Sequence, residues 1–69
     1  MPGQGARMSV GNLVRINRWG VGVPAGTIGM IMESWQMPNT ILYVVILLAP
    51  GRGPLERRYL ARDLDVISS

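Results

Sequence analysis

The chain has 69 residues, with seven arginines, four acidic residues and no cysteine, histidine or lysine. A chain of this length forms one domain at most and buries only about 60% of its extended surface. It contains no cysteine for disulfides and no His or Cys cluster for a structural metal. Histidine bases, thiolate nucleophiles and Schiff-base lysines are absent too, so the composition favours a protein without catalysis, metal or cofactor.

Composition also bears on compartment and partners. The first ten residues contain no apolar segment of the kind found in signal peptides, and the longest apolar run, 41–50, is shorter than the roughly 20 residues of a membrane-spanning helix. We therefore expect a cytoplasmic protein that does not enter a membrane. The net charge of +3 does not by itself indicate a nucleic-acid binder. Arginine without lysine fits either bidentate binding of carboxylate or phosphate or a GC-rich genome.

The chain begins with residues 1–9, which contain glycine and proline and little to bury. We predict a disordered leader there, followed by one domain over 10–67. The first strand is predicted over 11–17, because Val14 and Ile16 form one apolar face. A glycine-rich loop follows, with Trp19 near its start.

The next stretch reads as a turn that opens into a strand. Pro24 fixes its own φ, and Gly26 can adopt the positive φ that a type II turn requires. A strand is predicted over 27–34, with Gly29 marking a bulge or a sharp bend. Residues 35–40, which include Trp35, are predicted to form the turn that ends it.

The third strand, predicted over 41–48, is the most informative element because it is apolar on both faces. Its odd-numbered residues point to one side, and its even-numbered residues to the other. A small curled sheet has only one interior, so the second face needs cover. We expect a homo-oligomer, with an interface formed by Leu42, Val44 and Ile46. Cover by the leader or by the loop at 49–54 remains the alternative.

The remaining elements complete an all-β pattern. After the loop at 49–54, a fourth strand is predicted over 55–60, a 3-10 turn over 61–63 with Asp63 as a local cap, and a last strand over 64–67. Glu56 is expected to pair with an arginine across the sheet. Five short strands with a 3-10 turn before the last predict a small SH3-like barrel. An OB-like barrel is the second choice.

Three segments carry a resemblance to the SH3-like barrel superfamily over about residues 10–67. These are 14–16, 26–31 and the Tyr-Val strand at 43–45. The same order of parts is similar to that of the small stromal subunit of photosystem I and of KOW-type barrels in translation. The resemblance implies the fold and says little about activity.

The end of the chain resembles a narrower family, the plasmid-borne type II dihydrofolate reductases, through Tyr59, Leu64, Asp65 and Ile67. Those enzymes are small SH3-like barrels that assemble as homotetramers around a pore that binds NADPH and dihydrofolate. Their pore motif is Val-Gln-Ile-Tyr, of which residues 56–59 keep only the tyrosine. Arg57 stands in place of the essential glutamine, which replaces an amide with a donor-only cation.

Five residues are candidate contacts for a ligand or partner: Trp19, Trp35, Arg52, Arg57 and Tyr59. Arginines beside an aromatic ring can bind phosphate and stack a base. Neighbours in a strand point to opposite faces, however, so Arg57 and Arg58 do not belong to one patch. Both tryptophans are predicted to lie in loops, where exposed aromatics typically line peptide or ligand grooves, or close the open end of a barrel.

Three functions follow from these features. The sequence favours a non-catalytic binding or assembly module that self-associates and binds a protein or a small anionic ligand. The second interpretation is a barrel that binds RNA or DNA through arginine. The third is an oligomeric pore enzyme like the reductases that the chain resembles.

Overall fold

The structure, a computed structural model, describes residues 8–48 and 53–68. The five strands are β1 (Leu13–Ile16), β2 (Ile28–Gln36), β3 (Ile41–Leu47), β4 (Leu55–Leu60) and β5 (Leu64–Ser68), and a 3-10 turn at Ala61–Asp63 precedes β5. All neighbouring strands pair antiparallel. The predicted fold class is confirmed: the described chain is all β, with five strands and a 3-10 turn before the last.

The connection between the two edge strands forces the sheet to curl. The strand order is β4-β3-β2-β1-β5, so β4 and β5 lie at opposite edges, although only three residues connect them. At about 4.8 Å between neighbours, a flat sheet would separate these edges by about 19 Å. The four steps from Leu60 to Leu64 reach at most about 14 Å. The sheet therefore bends around and encloses a single core.

The core consists of apolar side chains on the concave face of the sheet. The five that are fully buried and largest are Val14, Ile16, Ile31, Val45 and Leu47. Val23, Tyr43 and Leu64 complete the cluster, and Met8, which belongs to the predicted leader, packs against it. Residues 1–7 of that leader lie outside the described residues.

The turn at 24–27 has the predicted geometry. The Thr27 amide donates to the Pro24 carbonyl over 3.2 Å. Gly26, the third residue of the turn, has a φ of 97°. That conformation is costly for any residue with a Cβ. The Gly26 amide also donates to the Ile16 carbonyl over 2.7 Å, so the turn is tied directly to β1.

The irregularity predicted at Gly29 lies further along β2. The pairing of β2 with β3 shifts register between Ile31 and Glu33, which makes Met32 the extra residue of a bulge. β2 also continues to Gln36, two residues beyond the prediction, and places Trp35 in a strand opposite Leu42. The prediction of a loop position for Trp35 is therefore wrong, because pairing with β3 outweighs the local turn signal.

Gly29 has a different role, which is to allow β3 to approach closely. A Cβ at this position would lie 2.6 Å from Cγ1 of Val45 and 2.8 Å from the carbonyl oxygen of Ile46. Since one of these neighbours is backbone and the other is a fully buried side chain, neither can easily give way. The glycine therefore sets how tightly the two central strands pack.

The two apolar faces of β3 meet different environments. Tyr43, Val45 and Leu47 are buried in the core, so the odd-numbered face points inward. The even-numbered residues lie on the outer face, where Leu42 and Ile46 are half-buried. Val44 is only 5% exposed, since side chains of β2 and β4 flank it. Leu48, predicted as part of this strand, lies just beyond it.

Substitution of Gly29 by alanine tests this packing. We expect a loss of about 1–3 kcal/mol in the free energy of unfolding, because overpacking a tight contact forces backbone or side chains to move. Gly53→Ala is the matched control, since a Cβ there has no atom of a described residue within 4 Å. Urea denaturation followed by circular dichroism measures both. Equal stability of the two variants would contradict the proposed role of Gly29.

Candidate functional site

Two concave surfaces lie on either side of β4. The first, which we call the loop cleft, has a volume of about 210 Å³ and is lined by Arg18, Trp19, Gly20, Val21, Val23, Arg57 and Tyr59. The second, which we call the sheet groove, has a volume of about 300 Å³ and is lined by Glu33, Trp35, Met37, Leu42, Val44, Glu56 and Arg58. Consecutive strand residues point to opposite faces, so Arg57 contributes to one surface and Arg58 to the other.

The loop between β1 and β2 forms one wall of the loop cleft and is fixed at its tip. The amides of Gly20 and Val23 each donate to the carbonyl of the other, over 3.0 and 3.1 Å. Gly22 has a φ of 72°, which lets the chain reverse between them. Val23 is buried in the core, whereas Trp19 is 75% exposed. The tryptophan is therefore presented to solvent by a short, anchored loop.

Asp63 organises the polar side of the same cleft. Its Oδ1 accepts from Nη1 of Arg18 over 3.3 Å, and its Oδ2 accepts from the Leu60 amide over 3.4 Å. The second contact places Asp63 as the local cap of the 3-10 turn. The Arg18 side chain is 60% exposed, while that of Asp63 is 11% exposed. The carboxylate thus binds Arg18 and leaves more than half of the Arg18 side chain accessible.

Tyr59 lies at the inner end of the cleft, half-buried. Burial raises the pKa of its phenol above the ordinary value of 10.0. The carboxylate of Asp63 raises that pKa too, whereas the guanidinium groups of Arg57 and Arg18 lower it. At neutral pH the phenol is therefore a neutral hydrogen-bond donor situated near two cations.

The sheet groove depends on the bulge at Met32. Ile31 points into the core, so regular alternation would also turn Glu33 and Trp35 inward. The extra residue reverses that phase and pairs Glu33 with Val44. Val44 pairs in turn with Arg58, which gives an acidic, an apolar and a basic residue in one row across the outer face.

Trp35 forms the rim of this groove. It is 56% exposed, and its Nε1 donates to Oε1 of Glu33 over 3.1 Å. The predicted interface residues Leu42, Val44 and Ile46 all lie on this outer face. Among the described residues the ion pair of Arg18 with Asp63 is the only one, so the predicted pairing of Glu56 is not formed with any arginine that the structure describes.

The structure groups the predicted contact residues into two sets. Trp19, Arg57 and Tyr59 line the loop cleft, whereas Trp35 lines the sheet groove. Arg52 lies outside the described residues. Sequence reasoning missed Arg18, which depends on a partner 45 residues away, and Glu33, whose direction depends on the bulge.

Comparison with known proteins identifies no relative of this chain. No protein-family model, no curated protein and no solved structure matches the chain. Within residues 8–48 and 53–68, no group of three or more His, Cys, Asp or Glu side chains is placed to hold a metal ion. No helix in that part of the chain is long and apolar enough to cross a membrane.

Because of Tyr59, we predict that the stability of the folded protein decreases at alkaline pH. The pKa of Tyr59 in the folded state lies above the unfolded value of 10.0. The neutral phenol therefore stabilises the folded state fully below pH 10, and this stabilisation is lost as the pH rises through the folded-state pKa. We expect wild type to lose stability relative to Tyr59→Phe above pH 10, measured by urea denaturation between about pH 9 and 11.

The substitution Arg57→Gln tests how the neighbouring positive charge affects the pKa of Tyr59. The Arg57 guanidinium lowers the pKa of Tyr59, so removal of the charge should raise that pKa further. Ultraviolet absorbance of the phenolate, with Tyr59→Phe as the reference, measures the change. A lower pKa in Arg57→Gln would contradict this arrangement of charges.

Proposed function

We propose that this protein is a non-catalytic assembly module that associates with a second copy of itself through the sheet groove. The observation that carries the proposal is the row formed by Glu33, Val44 and Arg58 across β2, β3 and β4. An acidic residue and a basic residue on either side of an apolar centre make a surface that can be complementary to itself.

The apolar character of the outer face supports association. Four large apolar side chains on β2 or just after it are 40% or more exposed, namely Met30, Met32, Trp35 and Met37, and Trp35 and Met37 line the groove. Leu42 also lines the groove beside Val44, and Ile46 is half-buried on the same face of β3. Monomeric proteins rarely expose contiguous apolar patches of more than a few hundred Å². Tryptophan and methionine are also enriched at protein interfaces.

The charges select one symmetry. Under a two-fold axis parallel to β3 through Val44, the β2 side of each copy lies over the β4 side of the other. Glu33 then faces the partner's Arg58, and Trp35 faces the partner's Leu60. An axis at right angles to the strands would place Glu33 over the partner's Glu33, and juxtaposed like charges cost several kcal/mol. The proposed dimer therefore has its axis along β3.

Chain length gives a second reason for association. Domains of this size bury a small fraction of their surface and are often stabilised by disulfides, metals or oligomerisation. The sequence has no cysteine, and the described residues form no metal cluster. Burial of the outer face at about 25 cal/mol per Å² of apolar area would add stability that the single core lacks.

The strand order and the 3-10 turn support the proposal that the chain is an SH3-like barrel. The other two functions have less support. Arg57 and Arg58 lie on opposite faces, so the arginines of β4 do not form one basic surface for RNA or DNA. The pore enzyme would need Arg57 to replace a glutamine amide, although Arg57 can only donate hydrogen bonds.

Charge exchange tests the proposed dimer. Glu33→Arg should raise the dissociation constant of the dimer by at least about tenfold, because each of two symmetric contacts then joins two arginines. Glu33→Arg combined with Arg58→Glu should restore association, since the same pairs form with their signs exchanged. Light scattering on a sizing column over a series of concentrations measures the mass.

The neighbouring arginine supplies the control. Arg57→Glu changes the charge by the same amount as Arg58→Glu but on the opposite face of β4, so it should leave the mass unchanged. Circular dichroism establishes that each variant is folded. A monomeric mass for wild type at all concentrations, or a double variant no better than Glu33→Arg, would overturn the proposal.

A further inference from the structure

We propose that the loop cleft binds a small planar anion, an aromatic or heteroaromatic ring that carries a carboxylate or a phosphate. The cleft joins two guanidinium groups, an exposed indole and a phenol, and none of its lining residues is acidic. It lies on the opposite face of β4 from the sheet groove, so the proposal is independent of the proposed dimer.

Arg57 is the group that would bind the anion. It is exposed, and it forms no ion pair with any described residue. A guanidinium presents a planar fork of donors that matches both oxygens of a carboxylate or two oxygens of a phosphate. Arg57 therefore offers bidentate binding, and none of the acidic side chains in the described part of the chain competes for it.

Arg18 supports the same anion from the other wall. Asp63 already accepts from its Nη1, and the other oxygen of Asp63 accepts from a backbone amide. The carboxylate is thus satisfied by the protein and is itself nearly buried, whereas Arg18 remains mostly exposed. Arg18 is held in place before any ligand arrives, which lowers the entropy lost on binding.

The aromatic groups account for the planar part of the ligand. Trp19 offers an exposed ring on an anchored loop, and Tyr59 offers a neutral phenol, whose pKa burial raises further above the ordinary value of 10.0. Aromatic rings prefer offset-stacked or edge-to-face arrangements. The phenol can donate one hydrogen bond to the anionic group beside the ring.

The size of the cleft limits the ligand. Its volume of about 210 Å³ is below the roughly 300–1,000 Å³ of pockets that enclose a drug-sized molecule. One ring with its anionic substituent fits this volume, and the rest of a larger molecule would extend into solvent. The lining provides no acidic group, so a cationic ligand is disfavoured.

Trp19 itself reports on binding. In a Trp35→Phe background Trp19 is the only tryptophan, and its emission can be titrated with phenyl phosphate, phenol, inorganic phosphate, benzoate and benzamide. We expect saturable changes with phenyl phosphate or with benzoate, according to whether the natural anion is a phosphate or a carboxylate. Phenol, benzamide and inorganic phosphate should each bind at least about tenfold more weakly, because each lacks either the anion or the ring.

Variants of the two arginines and one control complete the test. Arg57→Gln should lower the affinity for the anion at least about tenfold. Arg57→Lys should restore part of this affinity, because lysine keeps the positive charge but lacks the forked donors of the guanidinium. Arg15→Gln removes the same charge from an exposed position on β1 outside both surfaces, and should leave binding unchanged.

Three outcomes would overturn the proposal. They are no saturable response to either anion, equal affinity for an anion and its neutral counterpart, and equal weakening in Arg57→Gln and Arg15→Gln. The masses of the single variants, made in the wild-type background because Trp35 lines the sheet groove, separate this result from the dimer. Arg57→Gln should keep the wild-type mass, whereas Glu33→Arg should change the mass and retain the ligand.

Discussion

The short connection between β4 and β5 is the constraint on which the rest of the structure depends. Three residues join strands that lie at opposite edges of a five-stranded sheet, and they are too few to cross it when it is flat. The sheet must therefore curl, and curling creates one inside and one outside. Asp63 stabilises this connection by accepting from the Leu60 amide, and the same residue holds Arg18. The closing turn and the loop cleft thus share one carboxylate.

Much of the fold was predictable because its signals are local. The 3-10 turn, the bounds of β4 and the turn at Gly26 follow from neighbouring residues, and all three agree with the structure. The bulge at Met32 was not predictable, because it exists only in the pairing of β2 with β3. Its neighbours are ordinary strand residues, and Gly29, which has the sequence signal of a bulge, instead allows close approach of β3.

The same distinction applies to the candidate sites. Strand alternation alone separates Arg57 from Arg58, and the structure places them on different surfaces as that alternation requires. The grouping of Trp19 with Arg57 depends on how the loop folds over β4, and the role of Arg18 depends on Asp63, 45 residues away. Contacts of this kind join residues that are far apart in the sequence, so local sequence patterns do not predict them.

The proposed dimer needs more than apolar contact to form in one orientation. Val44, at its centre, is already almost covered within one chain, so truncating it would remove little of what a partner can bury. The exposed area belongs to Trp35 and to methionines, and the flexible methionine side chains adapt to many surfaces. Apolar contact alone would then permit several registers and both orientations of the two-fold axis. Glu33 and Arg58 are fixed on opposite sides of β3, by the bulge and by β4. Opposite charges then meet in only one of these orientations. In the proposed dimer the methionines and tryptophan would supply affinity, and the charged row would supply the orientation.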